Sequence, residues 1–285
     1  MFELLLNPKK AERKPWELFF VGLFYASLAL LFVNWIFASN PIFSKYISLL
    51  TITFTVILSM PFVYFTMKME EEKEVRYSNE KSLLKEHSKA IIAFLWLFLG
   101  FLVAFSVFYI LFPGFAGQNF QAQIEQYCNI NMPLHFKECI KQYGGSLSLT
   151  ASALGNSNLI DIFVNNIYVL IFSIVFSLIF GAGAIFILAW NASVIATAIG
   201  IFSHSSIINL PISILRYMVH GLPEIAAYFT AALAGGIIGI AIIRNDIKSD
   251  KFWHIMKDSL DLVIIALIIL VAAALIEIFV TFRIF

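Results

Sequence analysis

The chain has 285 residues, 60% of them hydrophobic and 13% charged, with a formal net charge of +1. Soluble domains are about half apolar and about one quarter charged, so these figures exclude an ordinary soluble fold. A charge this close to zero excludes a nucleic-acid partner recognised through bulk positive charge.

The fold class that remains is all-α: a polytopic transmembrane helical bundle whose first partner is the lipid bilayer. A helix needs about 20 apolar residues to cross the hydrocarbon core. Such runs fall at 16–38, 43–66, 90–112, 159–189, 192–208, 211–243 and 260–282, about seven spans. The first follows Lys9, Lys10, Arg13 and Lys14. It is too long for a cleaved signal and lacks a small-residue cleavage site, so it is expected to stay as a span. The strongly apolar part of the fifth, ASVIATAIGIF, is short, which predicts a tilted or re-entrant segment. Gly221 and Pro223 interrupt the long sixth run and predict a broken sixth helix.

Lysine and arginine set the orientation. Four precede the first span, six lie in 67–89 and four in 244–258, so fourteen of the nineteen share one side. The expectation is a multi-pass protein of the cell membrane with a cytoplasmic N-terminus and an external C-terminus. The organisation that follows is a cytoplasmic N-terminus over 1–15, a two-span hairpin over 16–66, a charged cytoplasmic helix over 67–89, and a five-span core over 90–285 carrying one external loop domain over 113–158. The hairpin carries few polar groups and reads as an addition beside the core.

The segment 67–89 mixes acidic and basic residues, as a solvated helix with i,i+4 pairs does. It reads first as a cytoplasmic extension of the second and third spans, and second as a surface that docks a partner. The loop 113–158 is the other candidate contact for a protein partner, or else a stapled cap over the bundle. Cys128 and Cys139 both lie in it. They can close a disulfide if the loop faces an oxidising compartment, and otherwise stay as free thiols.

Two acidic residues, Glu224 and Glu277, stand inside apolar runs. An ionisable group at the centre of a bilayer costs roughly 2.5–3.5 kcal/mol, so it faces the bundle interior and finds a partner. His220 lies one helical turn before Glu224, with Gly221 and Pro223 between them. His220, Glu224 and Glu277 together offer one imidazole and two carboxylates, a candidate set for a divalent cation. The favoured reading is a satisfied polar network around a disturbed helix; a metal or ion site and a proton or substrate path are the alternatives. Asn165 and Asn166 on the fourth span and Asn191 in the turn after it are candidates for interhelical hydrogen bonds or for lining a pore. Gly235 and Gly239 form G-x-x-x-G, and with Gly181, Gly183 and Gly236 they offer smooth faces for packing within one chain or in a homo-oligomer. There is no Walker loop, no G-x-S-x-G and no redox C-x-x-C.

Three segments carry a family resemblance: IFVNNIYVLIFSIVFSLIFGAGAIFILAWNASVIATAIG at 162–200, HGLPEIAAYFTAALAGGIIG at 220–239 and AAALIEIFVT at 272–281. They resemble the stage II sporulation protein M family of polytopic membrane proteins. The pattern is an Asn-bearing helix ending in Gly, an Asn turn, P-H-G-x-x-E and a late Glu helix. It falls on Asn165, Asn166, Gly181, Asn191, His220, Gly221, Glu224 and Glu277, and departs at Val219, where the pattern has Pro. The resemblance covers about 90–285. It implies a helical membrane fold and a general role as an integral membrane scaffold that recruits partners without being an enzyme. An ion- or proton-coupled transporter using Glu224 and Glu277 is the first alternative. An intramembrane metal site with His220, Glu224 and Glu277 is the second.

Overall fold

The computed structural model describes residues 8–76, 83–144, 159–180, 184–203, 206–243, 250–277 and 279. Among them every regular element is helical. In chain order they are α1 (Pro8–Arg13), α2 (Glu17–Phe37), α3 (Ile47–Arg76), α4 (Leu83–Leu111), α5 (Pro113–Asn119), α6 (Gln121–Asn131), α7 (Phe136–Tyr143), α8 (Leu159–Phe180), α9 (Ala184–Phe202), α10 (Leu210–Ile243) and α11 (Asp250–Ile276). A helix satisfies its backbone groups within itself, the requirement that a hydrocarbon surround imposes. Six helices are long and apolar enough to cross a membrane: α2, α3, α4, α9, α10 and α11. The described apolar part of α8 is shorter, Phe163–Ile179.

Two expectations need correction. No division between the fourth and fifth spans falls near residue 190, because α9 runs unbroken over Ala184–Phe202. Asn191 therefore lies inside α9 and not in a turn. Gly181 and Gly183 fall outside the described residues, as does His204. The sixth helix is not broken: α10 runs 34 residues through Gly221 and Pro223. A proline removes one backbone donor, and a helix held on most sides by its neighbours can continue past that loss.

α10 is the central element, enclosed over most of its length, whereas only a minor share of α11 is buried. Phe229 of α10 stacks on Phe94 of α4 at 5.3 Å, and Phe62 of α3 meets the edge of Phe94 at 6.3 Å. Gly235 and Gly239 lie against the backbone of α8. A Cβ on either would come within 2.5 Å of a carbonyl oxygen, of Ile174 and Leu178 respectively. The G-x-x-x-G seam is thus filled by a helix of the same chain.

The hairpin is built into the bundle. α2 crosses α4 where Gly22 and Gly100 face each other, each too close to the other helix's backbone for a side chain. One face of α3 holds Ser48, Thr51, Thr55, Ser59 and Thr66, all buried, at the three- and four-residue spacing of a single helical face. Thr55, Ser59 and Thr66 each donate to the carbonyl four residues earlier, at 2.8–2.9 Å. This polar face corrects the reading of the hairpin as poor in polar groups. It can turn inward because three of its hydroxyls, those of Thr55, Ser59 and Thr66, are satisfied on their own helix and leave a small-residue surface for packing.

The segment 113–143 is a helical cap seated in the bundle. Phe120 packs on Phe105, Phe108 and Tyr109 of α4. Asn119 and Asn34 of α2 exchange hydrogen bonds at 2.6 and 3.1 Å. The Trp190 indole of α9 donates to Gln126 at 2.7 Å, and Gln123 donates to the Ser193 hydroxyl at 3.1 Å. Cys128 and Cys139 form a disulfide with their Cα atoms 5.8 Å apart, joining α6 to α7. Closing a loop of this order stabilises by about 3 kcal/mol on the chain-entropy account. Changing both cysteines to serine is expected to remove about 2–3 kcal/mol from the cap. Limited proteolysis in lipid should then cut within 113–143 while the spans stay intact.

Candidate functional site

The fold brings Asn166 of α8, Glu224 of α10 and Glu277 just past α11 into one neighbourhood. The Asn166 amide donates to Glu224 Oε1 at 2.6 Å, and Asn166 is only 7% exposed. Glu277 lies near enough for the two carboxylates to act on each other electrostatically, and buried Tyr228 feels both charges. The two acidic residues therefore lie within electrostatic range of each other, with an amide donor on one of them. A donor of this kind offsets the cost of holding a carboxyl group away from water.

The other expected site residues do not join them. Asn165 is exposed on the outer surface of α8. Asn191 donates at 2.7 Å to the Ile187 carbonyl on its own helix. His220 is set against Arg216, one turn earlier, whose guanidinium stacks over the Phe202 ring at 4.3 Å. Gly221 is buried, yet a Cβ there would touch nothing closer than 3.4 Å, so no close approach requires glycine. Among the described residues no group of three or more His, Cys, Asp and Glu is placed to hold a metal ion. The three-ligand set His220, Glu224 and Glu277 is accordingly not assembled.

A second constellation lies where α3 ends and α4 begins, and sequence reasoning missed it. Glu70, Glu71 and His87 are fully buried. His87 Nδ1 is 2.6 Å from Glu70 Oε2. The Lys73 ammonium donates to Glu70 at 2.6 Å and to Glu12 of α1 at 2.5 Å. The reading of 67–89 as a solvated charged helix is thus corrected for these residues. The i,i+3 pair Glu70 and Lys73 was visible in sequence. Its third and fourth members lie at positions 12 and 87, a separation no local pattern reveals. Burial, and next the hydrogen bond to the Glu70 carboxyl, push the Glu12 carboxyl above its ordinary pKa. In the cap, burial does the same to the Tyr127 phenol, with Tyr143 adding to it.

The family profile described as Stage II sporulation protein M matches residues 7–282. That range includes the first two spans, which the sequence reading had set aside as an addition. No curated protein and no solved structure matches the chain. With the profile extending over almost its entire length, this multi-pass helical protein belongs to the stage II sporulation protein M family.

Proposed function

We propose that the protein is a non-enzymatic membrane scaffold that holds partner proteins at the bilayer. The observation that carries this is the Asn166–Glu224 bond at 2.6 Å between α8 and an unbroken α10. An intramembrane carboxyl group bonded to a neighbouring helix acts as internal glue. The docking surface is the cap. Its inner side is bonded to α2 and α9, and its outer side exposes Phe115, Lys137, Glu138, Lys141 and Leu134, the last 79% exposed. The alternative contact, 67–89, is weakened as a docking site because Glu70, Glu71 and His87 in it are buried. The lysine and arginine bias supports a cytoplasmic N-terminus, which puts the cap and its disulfide outside the cell.

Glu224→Gln keeps an oxygen for the Asn166 donor. It is expected to change stability by less than about 1 kcal/mol. Photocrosslinking of a partner from position 134 should be unchanged, and protein in liposomes should pass neither protons nor sodium above the lipid background. A second reading, an ion- or proton-coupled transporter, draws on the nearness of Glu277 to Glu224. Gradient-driven flux that disappears in Glu224→Gln would establish it and sink the scaffold.

A further inference from the structure

The cluster at the α3–α4 end has a composition that internal glue does not require. Two carboxylates, an ammonium and an imidazole meet with two of the four groups fully buried. Three separate elements supply them: Glu12 from α1, Glu70 and Lys73 from α3, His87 from α4. α1 is a short helix of six residues that packs against both α3 and α4. Its one described charged contact with the bundle is Glu12, because Arg13 is exposed.

We propose that Glu12, Glu70, Lys73 and His87 form a proton-binding site that clasps α1 to the bundle when protonated and releases it when the proton is lost. With Lys73 and His87 cationic and both carboxylates ionised, the charges cancel. When the imidazole gives up its proton, two carboxylates share one ammonium and carry a net negative charge into a poorly hydrated place. A proton on Glu12 removes that excess and lets its carboxyl donate to Glu70. Glu12 and Glu70 both bond the one Lys73 ammonium, at 2.5 and 2.6 Å, so their carboxyl groups are held close together, as such sharing requires.

The direction in pH follows from Glu12. Its folded-state pKa lies above the ordinary value, so the docked state of α1 holds a proton that the released state gives up. Docking is complete at low pH and is lost as pH rises through the raised value.

The surrounding groups leave this assignment intact. α3 also carries Lys68, Glu71, Glu72, Glu74 and Arg76, α4 carries Lys85, Glu86 and Lys89, and α2, packed against both, begins at Glu17, which pairs with Lys14 at 3.4 Å. α11, which touches α3 and α4, brings Lys257 together with His254 and Asp258, the last two paired with each other at 3.3 Å. α10 has no titratable residue from Phe229 to Ile243.

Spin labels at Arg13→Cys and Lys89→Cys report the clasp in the full chain in lipid nanodiscs, the native cysteines being paired. Pulsed electron resonance is expected to show one short distance at about pH 5 and a longer population that grows at least ~5-fold by about pH 9. In Glu12→Gln the amide donates to Glu70 without needing a proton, so the short distance should persist across the range. Infrared difference spectra over the same range provide a readout independent of label placement. A protonated-carboxyl band should fade as pH rises and be missing in Glu12→Gln. A pH-independent distance, or an unchanged pH response and band in Glu12→Gln, would overturn the proposal.

Discussion

Gly100→Leu is expected to abolish the folded protein. At this crossing a Cβ on Gly100 would stand 2.7 Å from the Leu23 amide nitrogen and 2.9 Å from the Gly22 Cα, and closer still to the Phe19 carbonyl oxygen. All three are backbone atoms of α2, so no rotamer change relieves the overlap; the helices must separate. Separation would open the interface that buries Leu18, Ala26, Leu97 and Phe101. Overpacking of a well-packed core costs about 1–3 kcal/mol, and more when backbone must move. Alanine at position 100 is expected to cost about 2–3 kcal/mol, and leucine to leave no monodisperse peak in detergent chromatography. A Gly100→Leu protein with unchanged thermal stability would mean that α2 does not cross α4 here.

Glu70→Leu carries the second large expected effect. Glu70 accepts from both Lys73 and His87 and is fully buried. Its loss takes the Glu70 carboxylate away from both the His87 imidazole and the Lys73 ammonium. Breaking a buried ion pair from one side costs about 3–5 kcal/mol, because the surviving charge stays desolvated. Glu70→Gln, which retains an acceptor oxygen, is expected to lose about 1–3 kcal/mol. The order leucine worse than glutamine, read as thermal midpoints in nanodiscs, separates lost hydrogen bonding from lost packing. The loss should also change little with added salt, since ions do not screen a site closed to water. Equal midpoints for the two variants would show that the carboxyl group contributes only volume.

How much of this was legible in sequence follows from the range of each signal. The spans were readable because one local property, apolarity over about twenty residues, decides whether a segment crosses. Their ends were less so. The break before α9 was assigned near Trp190 and Asn191, because a polar pair reads as a turn. Yet Asn191 remains in the helix by bonding the Ile187 carbonyl. The same error made Gly221 and Pro223 look like a break: helix breakers are scored against water, and α10 is surrounded by helices.

The acidic residues of the spans could be found by composition alone. Asn166 could be placed as a partner of Glu224 only by the fold, because the two lie 58 residues apart in sequence. The charged cluster at Glu70 was hidden because charge on a helix normally means solvent. Nothing local distinguishes Glu70, fully buried, from Glu72, which is not.

The bonds that seat the cap also constrain how the protein is made. Gln126 meets Trp190, 64 residues later in the chain, and Gln123 meets Ser193, 70 residues later. A ribosome releases the chain in order, so the cap leaves the insertion machinery well before α9 exists to receive it. During that interval Phe120 has α4 on one side, while the side of the cap that α9 will cover stays open. The disulfide needs only α6 and α7, so it can close first and hold the cap compact until α9 arrives. Assembly then has a fixed sequence: staple, late span, seating of the cap. A chain stalled between α7 and α9 would show an oxidised cap still open to protease, and the resistance of that segment would mark the moment at which the bundle is complete.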